Sequence, residues 1–262
     1  MKLLTKNNKL LYKSGGIIGK GFGSNYFNDV ILDTYAENMV AAYKFESGAL
    51  TTDSHGSCTL TAINYPLEGV GKSGGCVDFE RDLFQYFIAD EYFALQLSAF
   101  TISLWVKIES PSPYISSGIF TTHSDTKINY DLMYVDNNKF RFEIYDGIHN
   151  PIVNSTTNPS LGTWYHVVCV CTGIGGICRL YINGVQEGGD ILNTAIGYYS
   201  GRPTTNIGTR SRSDSRYALD GMLDEIYVWN IGLSSEAITA LYNAGSGKFY
   251  NLFISYPPIP YS

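Results

Sequence analysis

The sequence predicts an all-β protein, an antiparallel β-sandwich with one short helix near the C-terminus and an N-terminal arm. Three observations lead there. About a dozen short segments alternate apolar and polar residues, or run apolar, between turn residues at regular spacing. The composition favours strands: 21 Tyr, 13 Phe and 27 Gly in 262 residues, with no long Ala, Leu, Glu or Lys runs. A single segment, Ser235 to Asn243, carries helix signals, with Ser234 as N-cap, Ile238, Leu241 and Tyr242 on one face and Gly245 as stop.

The strands follow in order. Val40 to Phe45 alternates and leads into the polar loop Asp53-Ser54-His55-Gly56-Ser57. Cys76 to Phe79, Tyr86 to Ile88 and Phe100 to Lys107 come next, the last with Phe100, Ile102, Leu104 and Val106 on one face and Trp105 and Lys107 on the other. Ile115 to Thr122 is followed by Tyr130 to Val135 and Lys139 to Tyr145, joined by the turn Asp136-Asn137-Asn138. Trp164 to Cys171 and Cys178 to Asn183 form another hairpin, and Asn183-Gly184 supplies a further tight turn. Thr205 to Thr209 and Gly221 to Trp229 close the body, and Phe249 to Tyr256 reads as one more strand before a Pro-rich tail.

Composition also bounds function. With 44% hydrophobic and 16% charged residues, disorder is excluded as the main state. No apolar run approaches the roughly 18 residues of a membrane-spanning helix, so no membrane insertion is expected. The first 28 residues hold Lys2, Lys6, Lys9, Lys13 and Lys20 and no acid, so of the net charge of −6 this arm contributes +5 and the rest −11. Such a body does not bind nucleic acid by bulk electrostatics. Lys2-Leu3-Leu4 is followed by polar residues and then by Lys9-Leu10-Leu11, which is not a secretory signal; it reads as a tiny hairpin with Asn7-Asn8 at its turn, or as a flexible arm. Three segments result: residues 1–36, a basic Gly-rich docking arm; 37–248, the sandwich; 249–262, a C-terminal strand and tail. The five Cys show no zinc spacing and read as buried thiols; a Cys171–Cys178 bridge across its hairpin is conceivable, with nothing else in the sequence to support it.

From about Val40 to Lys248 the chain resembles the concanavalin A-like, laminin-G-like jelly roll. The likeness lies in VAAYKFESG (Val40 to Gly48), DSHG (Asp53 to Gly56), GGCVDFE (Gly74 to Glu80), FTISLWVK (Phe100 to Lys107), WYHVVCV (Trp164 to Val170), RLYINGV (Arg179 to Val185), NIGTR (Asn206 to Arg210) and LDGMLDEIYVWNIGLSSEAITALY (Leu219 to Tyr242), in family order. It implies a jelly-roll sandwich that hosts lectins, adhesion modules, glycosidases and structural domains alike. Many members hold calcium at the sandwich edge. Strand alternation places Asp224 on the face of Met222, Ile226 and Val228, an acid among apolar side chains. Its partner is either a structural calcium, with Glu46 and Asp53 as companions, or loop backbone.

Catalysis is the less favoured class. Retaining glycosidases on this fold use paired carboxylates about 5 Å apart in a pattern like E-x-D-x-x-E, which is missing here. Asp224 and Glu225 are adjacent and point to opposite faces, leaving Asp78 and Glu80 as the outside pair. For glycan contact, Tyr198, Tyr199 and Arg202, with Arg210, Arg212, Arg216 and Tyr217 nearby, supply rings and polar groups in a loop-rich region, although a protein interface has the same composition. The expectation is a non-catalytic recognition or structural protein binding host or mucosal glycans. The basic start resembles the docking arms of tailed-phage fibre and decoration proteins. That likeness implies a virion-surface homo-oligomer held to other virion proteins through residues 1–36. The alternatives are a carbohydrate-binding module of a bacterial surface or extracellular protein and, less favoured, a glycoside hydrolase.

Overall fold

The computed structural model describes residues 4–6, 9–11, 35–89, 99–124, 127–145, 148–193 and 204–249. In chain order the strands are β1 (Leu4–Lys6), β2 (Lys9–Leu11), β3 (Met39–Tyr43), β4 (Leu60–Ile63), β5 (Leu67–Val70), β6 (Gly75–Phe79), β7 (Tyr86–Ala89), β8 (Ala99–Ile108) and β9 (Ser116–Ser124). They continue as β10 (Lys127–Val135), β11 (Lys139–Ile144), β12 (Ile152–Asn154), β13 (Trp164–Thr172), β14 (Ile177–Ile182), β15 (Val185–Leu192), β16 (Thr204–Ile207) and β17 (Gly221–Trp229). An α-helix, α1 (Ser235–Tyr242), follows.

Two antiparallel sheets form the sandwich. One has seven strands in the order β12-β11-β10-β9-β16-β7-β4; the other has eight, seven in the order β15-β14-β13-β8-β17-β6-β5 and β3, which pairs with β17 off that path. β1 and β2 pair separately, Leu4 opposite Leu11 and Lys6 opposite Lys9, as the hairpin reading expected. Between the sheets lies a core with Phe79, Phe87, Phe100, Phe120, Phe140 and Phe142 all fully buried. Burial of a ring of this size contributes about 1.5–3 kcal/mol.

The outer face of the eight-stranded sheet is also closed. Val168, Val170, Tyr181, Tyr227 and Trp229 pack there with Ile238 and Leu241 of α1. Ser234 Oγ accepts the Ala237 amide at 3.3 Å and caps the helix. The expected stop at Gly245 comes earlier: Asn243 already turns left-handed at φ 47°, followed by Ala244 at φ 50°. Tyr242 then lies over the sheet, 6.0 Å from Trp105 and 6.1 Å from His166 between ring centroids.

Two further expectations are corrected. Cys171 and Cys178 face each other across β13 and β14 and are joined as a disulfide, not left as separate thiols. Asp224 does not share a face with Ile226 and Val228. Glu225 adopts φ 50°, and the pairing register slips between Asp224 and Tyr227. This bulge restarts the alternation, so Leu223, Ile226 and Val228 all face the inter-sheet core. The strands β4, β5, β12 and β15 carry too few alternating residues to be read from sequence, and the segment from residue 250 onward lies outside the described residues.

Candidate functional site

The outer face of the seven-stranded sheet is polar. Pairing registers set Ile88, Asn206, Thr121, Asp131, Glu143 and Ile152 in one row across six strands. Asp131 and Glu143 stand directly opposite because the hairpin at Asp136–Asn138 fixes Val135 against Lys139, and counting back four pairs reaches them. Both are buried, as are Thr121 and Asn206. Arg210 lies across this row: its Nε donates to Asp131 Oδ2 at 2.9 Å and its Nη2 to Glu143 Oε1 at 2.8 Å.

Electrostatics follow from burial. Desolvation pushes the Asp131 carboxyl up to about 7, with Arg210 pulling it down and Glu143 pushing it further up. Glu143 is raised by the same burial. Burial disfavours the Arg210 cation, but the two carboxylates outweigh this and hold its pKa above the usual value. Among the described residues, Asp131 Oδ1 and both amide atoms of Asn206 are buried with no hydrogen-bond partner. Such groups are costly unless something pairs with them.

Arg210 belongs to the loop that leaves β16 and returns as β17. The loop passes so close to β9 that a Cβ on Gly118 would stand 2.3 Å from the Arg210 amide nitrogen. Beyond Arg210 the chain makes a short turn, Ser215–Tyr217, capped by Asp214, whose carboxylate accepts the Arg216 amide at 3.0 Å. Asp214 also pairs with the Arg216 guanidinium at 2.7 Å. Arg216 in turn lies over the Tyr114 ring, 4.6 Å from its centroid, and Tyr217 meets Tyr114 edge-on at 5.3 Å. A ring, an arginine and a carboxylate thus sit together on a loop clamped by buried ion pairs, with Tyr114 meeting them from the β8–β9 connection.

The predicted glycan set is therefore divided. Arg210 anchors the loop and is committed to Asp131 and Glu143. Tyr217 sits in the ring cluster, and Arg212 lies near enough to Tyr86 to oppose the burial that raises that phenol's pKa. Tyr198, Tyr199 and Arg202 fall outside the described residues. Sequence reasoning missed Asp131, Glu143, Asn206 and Tyr114. The first two were legible by counting pairs from the Asp136–Asn138 turn; Asn206 and Tyr114 carry no signal short of the assembled sheet.

The three carboxylates expected around calcium are engaged by backbone amides. Asp53 accepts from Ala42, His55, Gly56 and Cys58 at 2.9–3.2 Å. Glu46 Oε2 accepts Gly75 N at 3.0 Å and Asp224 Oδ2 accepts Ser73 N at 3.0 Å, so these two hold the turn between β5 and β6. Desolvation pushes Asp224 up to about 8, and its Oδ1 has no hydrogen-bond partner among the described residues. Among the described residues no three His, Cys, Asp or Glu side chains converge as metal ligands. This donor set does not fit calcium, which takes six to eight oxygens.

His166 and Ser103 form a second buried pair, Nε2 to Oγ 2.8 Å, under Trp105 and Tyr242. Burial lowers the His166 pKa to about 3, so the ring is neutral and serves packing beneath the helix. Of the outside pair for catalysis, Asp78 is pushed up to about 6 by desolvation, then by Glu109 and Glu80. The Glu80 amide donates to Gln85 Oε1 at 2.9 Å.

Comparison with solved structures finds the same fold at low sequence identity. Domain 4 of AbnA, a GH43 extracellular arabinanase from Geobacillus stearothermophilus, solved in complex with arabinotriose, matches at a TM-score of 0.61 and 18% identity, covering 77% of this chain and 97% of that domain. The binding domain of Paraclostridial Mosquitocidal Protein 1 matches at 0.66 and 16%, covering 80% of this chain and 53% of that one. The binding domain of botulinum neurotoxin DC, solved with rat synaptotagmin II, matches at 0.62 and 13%, covering 80% and 52%. The chain thus spans nearly all of the arabinanase domain and about half of the toxin binding domains. No match is found among curated proteins. The sequence profile described as Concanavalin A-like lectin/glucanases superfamily (Laminin_G_3) matches residues 84–239, more than half of the chain, and the chain belongs to that family.

Proposed function

We propose that this chain is a non-catalytic carbohydrate-binding module whose ligand meets the loop Thr209–Ala218, which the buried polar sheet face holds from beneath. The observation that carries the reading is the Tyr114–Arg216–Tyr217 cluster, held in place by Arg210 on two buried carboxylates. Sugar rings offer C–H faces that stack on aromatic side chains and hydroxyls that pair with arginine and carboxylate. The arabinotriose complex of the arabinanase domain supports this, as do toxin binding domains of the same fold, one of them solved with SialylT. Binding is favoured over cleavage because the Arg210 guanidinium bridges Asp131 and Glu143, the carboxylate pair a glycosidase would leave open to substrate.

The Cys171–Cys178 disulfide suits a protein that works in an oxidising setting, such as a virion, a cell surface or the extracellular medium. In the virion reading, residues 1–36 dock a fibre or decoration protein onto an acidic assembly, supported by the charge of +5 on residues 1–28 against −11 for the rest. A glycan microarray probed with the full chain, beside a reducing-sugar assay on the same glycans, tests the binding reading. Retention of a defined neutral glycan without sugar release is the expected result. Sugar release, lost on Glu143→Gln, would replace it with a glycosidase.

A further inference from the structure

We propose that the binding surface continues past Tyr217 to Tyr65, and that its ligand is a neutral polysaccharide stretch several sugar units long rather than one terminal sugar; this rests on the glycan reading above. Tyr65 is 89% exposed, far more than any other aromatic side chain among the described residues. It is nevertheless held in a costly conformation. Asn64 and Tyr65 both take φ 56°, and Phe84 in the facing turn takes φ 52°. Left-handed backbone at a bulky residue is unfavourable and persists only where surroundings fix it.

The fixing groups are specific. Asn64 Nδ2 donates to the carbonyls of Leu83 and Phe84 at 3.1 and 2.9 Å. Gln85, itself buried, donates through Nε2 to the carbonyls of Asn64 and Tyr65 at 3.1 and 2.9 Å. The ring projects into water from a rigid base, so little conformational entropy is lost when a ligand stacks on it.

This turn adjoins the candidate site. The short turn Arg81–Leu83 packs against Ser215–Tyr217, and Arg81 Nε donates to the Ala218 carbonyl at 3.1 Å. Tyr65, Leu83, Tyr217 and Tyr114 therefore follow one another along one end of the sandwich, with Leu83 56% and Tyr114 37% exposed. The charges there are mixed in sign: Arg216 pairs with Asp214 and Arg81 lies 3.8 Å from Asp220, beside exposed Asp82 and Arg212. A polymer of one charge sign gains little from such a strip. A few separated rings also fall short of the roughly 800 Å² per side that a stable protein interface buries. An extended, uncharged chain whose successive sugars present apolar faces fits both facts.

Isothermal titration of the full chain with ladders from disaccharide to hexasaccharide of β-1,4-glucan, β-1,4-xylan and α-1,5-arabinan tests this. Affinity is expected to rise about tenfold between the short and long ends of the bound ladder, one stacked ring's worth. Tyr65→Gly, which suits φ 56° and removes the ring, should abolish that rise and leave disaccharide affinity unchanged, while Tyr65→Phe keeps it. Affinity independent of length, or a rise that survives Tyr65→Gly, overturns the extension alone. Failure of every ladder to bind overturns the glycan reading together with it.

Discussion

On the outer face of the eight-stranded sheet, Tyr227, Trp229 and Val168 meet Ile238 and Leu241 of α1 in a second apolar core. On the outer face of the seven-stranded sheet, Asp131, Glu143 and Asn206 are buried just as deeply, but beneath an arginine and with polar atoms left unpaired. Both faces exclude water, and only the first gains stability in doing so. Burying two carboxylates and an unpartnered amide costs free energy that an apolar face would not. In the proposed reading that cost holds the recognition loop in place, whereas the helix-covered face serves the fold.

The largest effect should come from the apolar side. Trp229→Ala removes a ring that is 2% exposed and packed edge-on against Tyr227. A loss of about 3–5 kcal/mol in urea unfolding is expected. A loss below 1 kcal/mol would show that α1 adds little, and would break the contrast between the faces.

On the polar side, Arg210→Ala leaves Asp131 and Glu143 buried without their cation. Stability should fall by about 3 kcal/mol or somewhat more at pH 8. The loss should shrink at pH 5, where a carboxyl already pushed up to about 7 takes a proton and no longer needs the arginine. An equal loss at both pH values would mean that Arg210 acts through packing rather than charge.

The wild-type pH profile gives a smaller effect with a fixed sign. Asp131 is raised from 3.8 to about 7, Asp224 from 3.8 to about 8 and Glu225 from 4.5 to about 7, in each case by burial first. The folded state holds these protons more tightly than the unfolded chain. The stability they supply is full below pH about 4 and is lost as pH rises through about 7–8. His166, lowered from 6.5 to about 3, works the other way: its contribution is present above 6.5 and lost as pH falls through about 3. These acids, with Asp78 and Glu143 raised in the same direction, against one histidine should make the protein more stable at pH 5 than at pH 8.5 by thermal unfolding. Asp131→Asn should reduce that difference.

Much of the apolar half was legible in the sequence, because strand alternation reports which side chains share a face. In FTISLWVK it correctly put Phe100, Ile102, Leu104 and Val106 in the core and Trp105 opposite. The Asn183-Gly184 turn was equally readable, both residues having positive φ. Alternation failed at Glu225, where one left-handed residue resets it and a glutamate gives no local warning. It also could not say what Arg210 does. Its type suits a sugar contact, but its partners lie 79 and 67 residues away in sequence, on strands whose registry only the folded sheet fixes. The calcium expectation likewise rested on residue type alone. Asp53 is of a residue type that suits a metal ligand, but four backbone amides converge on its carboxylate once the loop closes.

The smallest expected effect on stability accompanies the largest on binding. Tyr217→Ala trims a partly exposed ring and should change unfolding by no more than about 0.5 kcal/mol. Affinity electrophoresis of the full chain in gels cast with arabinan, xylan or β-glucan then tests the central claim directly, with Tyr217→Ala and the helix-face variant Tyr242→Phe run beside the wild type. Retardation by at least one of these neutral polysaccharides, lost in Tyr217→Ala and kept in Tyr242→Phe, is the predicted result. Undiminished retardation of Tyr217→Ala, or retardation lost only in Tyr242→Phe, would contradict the assignment of recognition to the polar face.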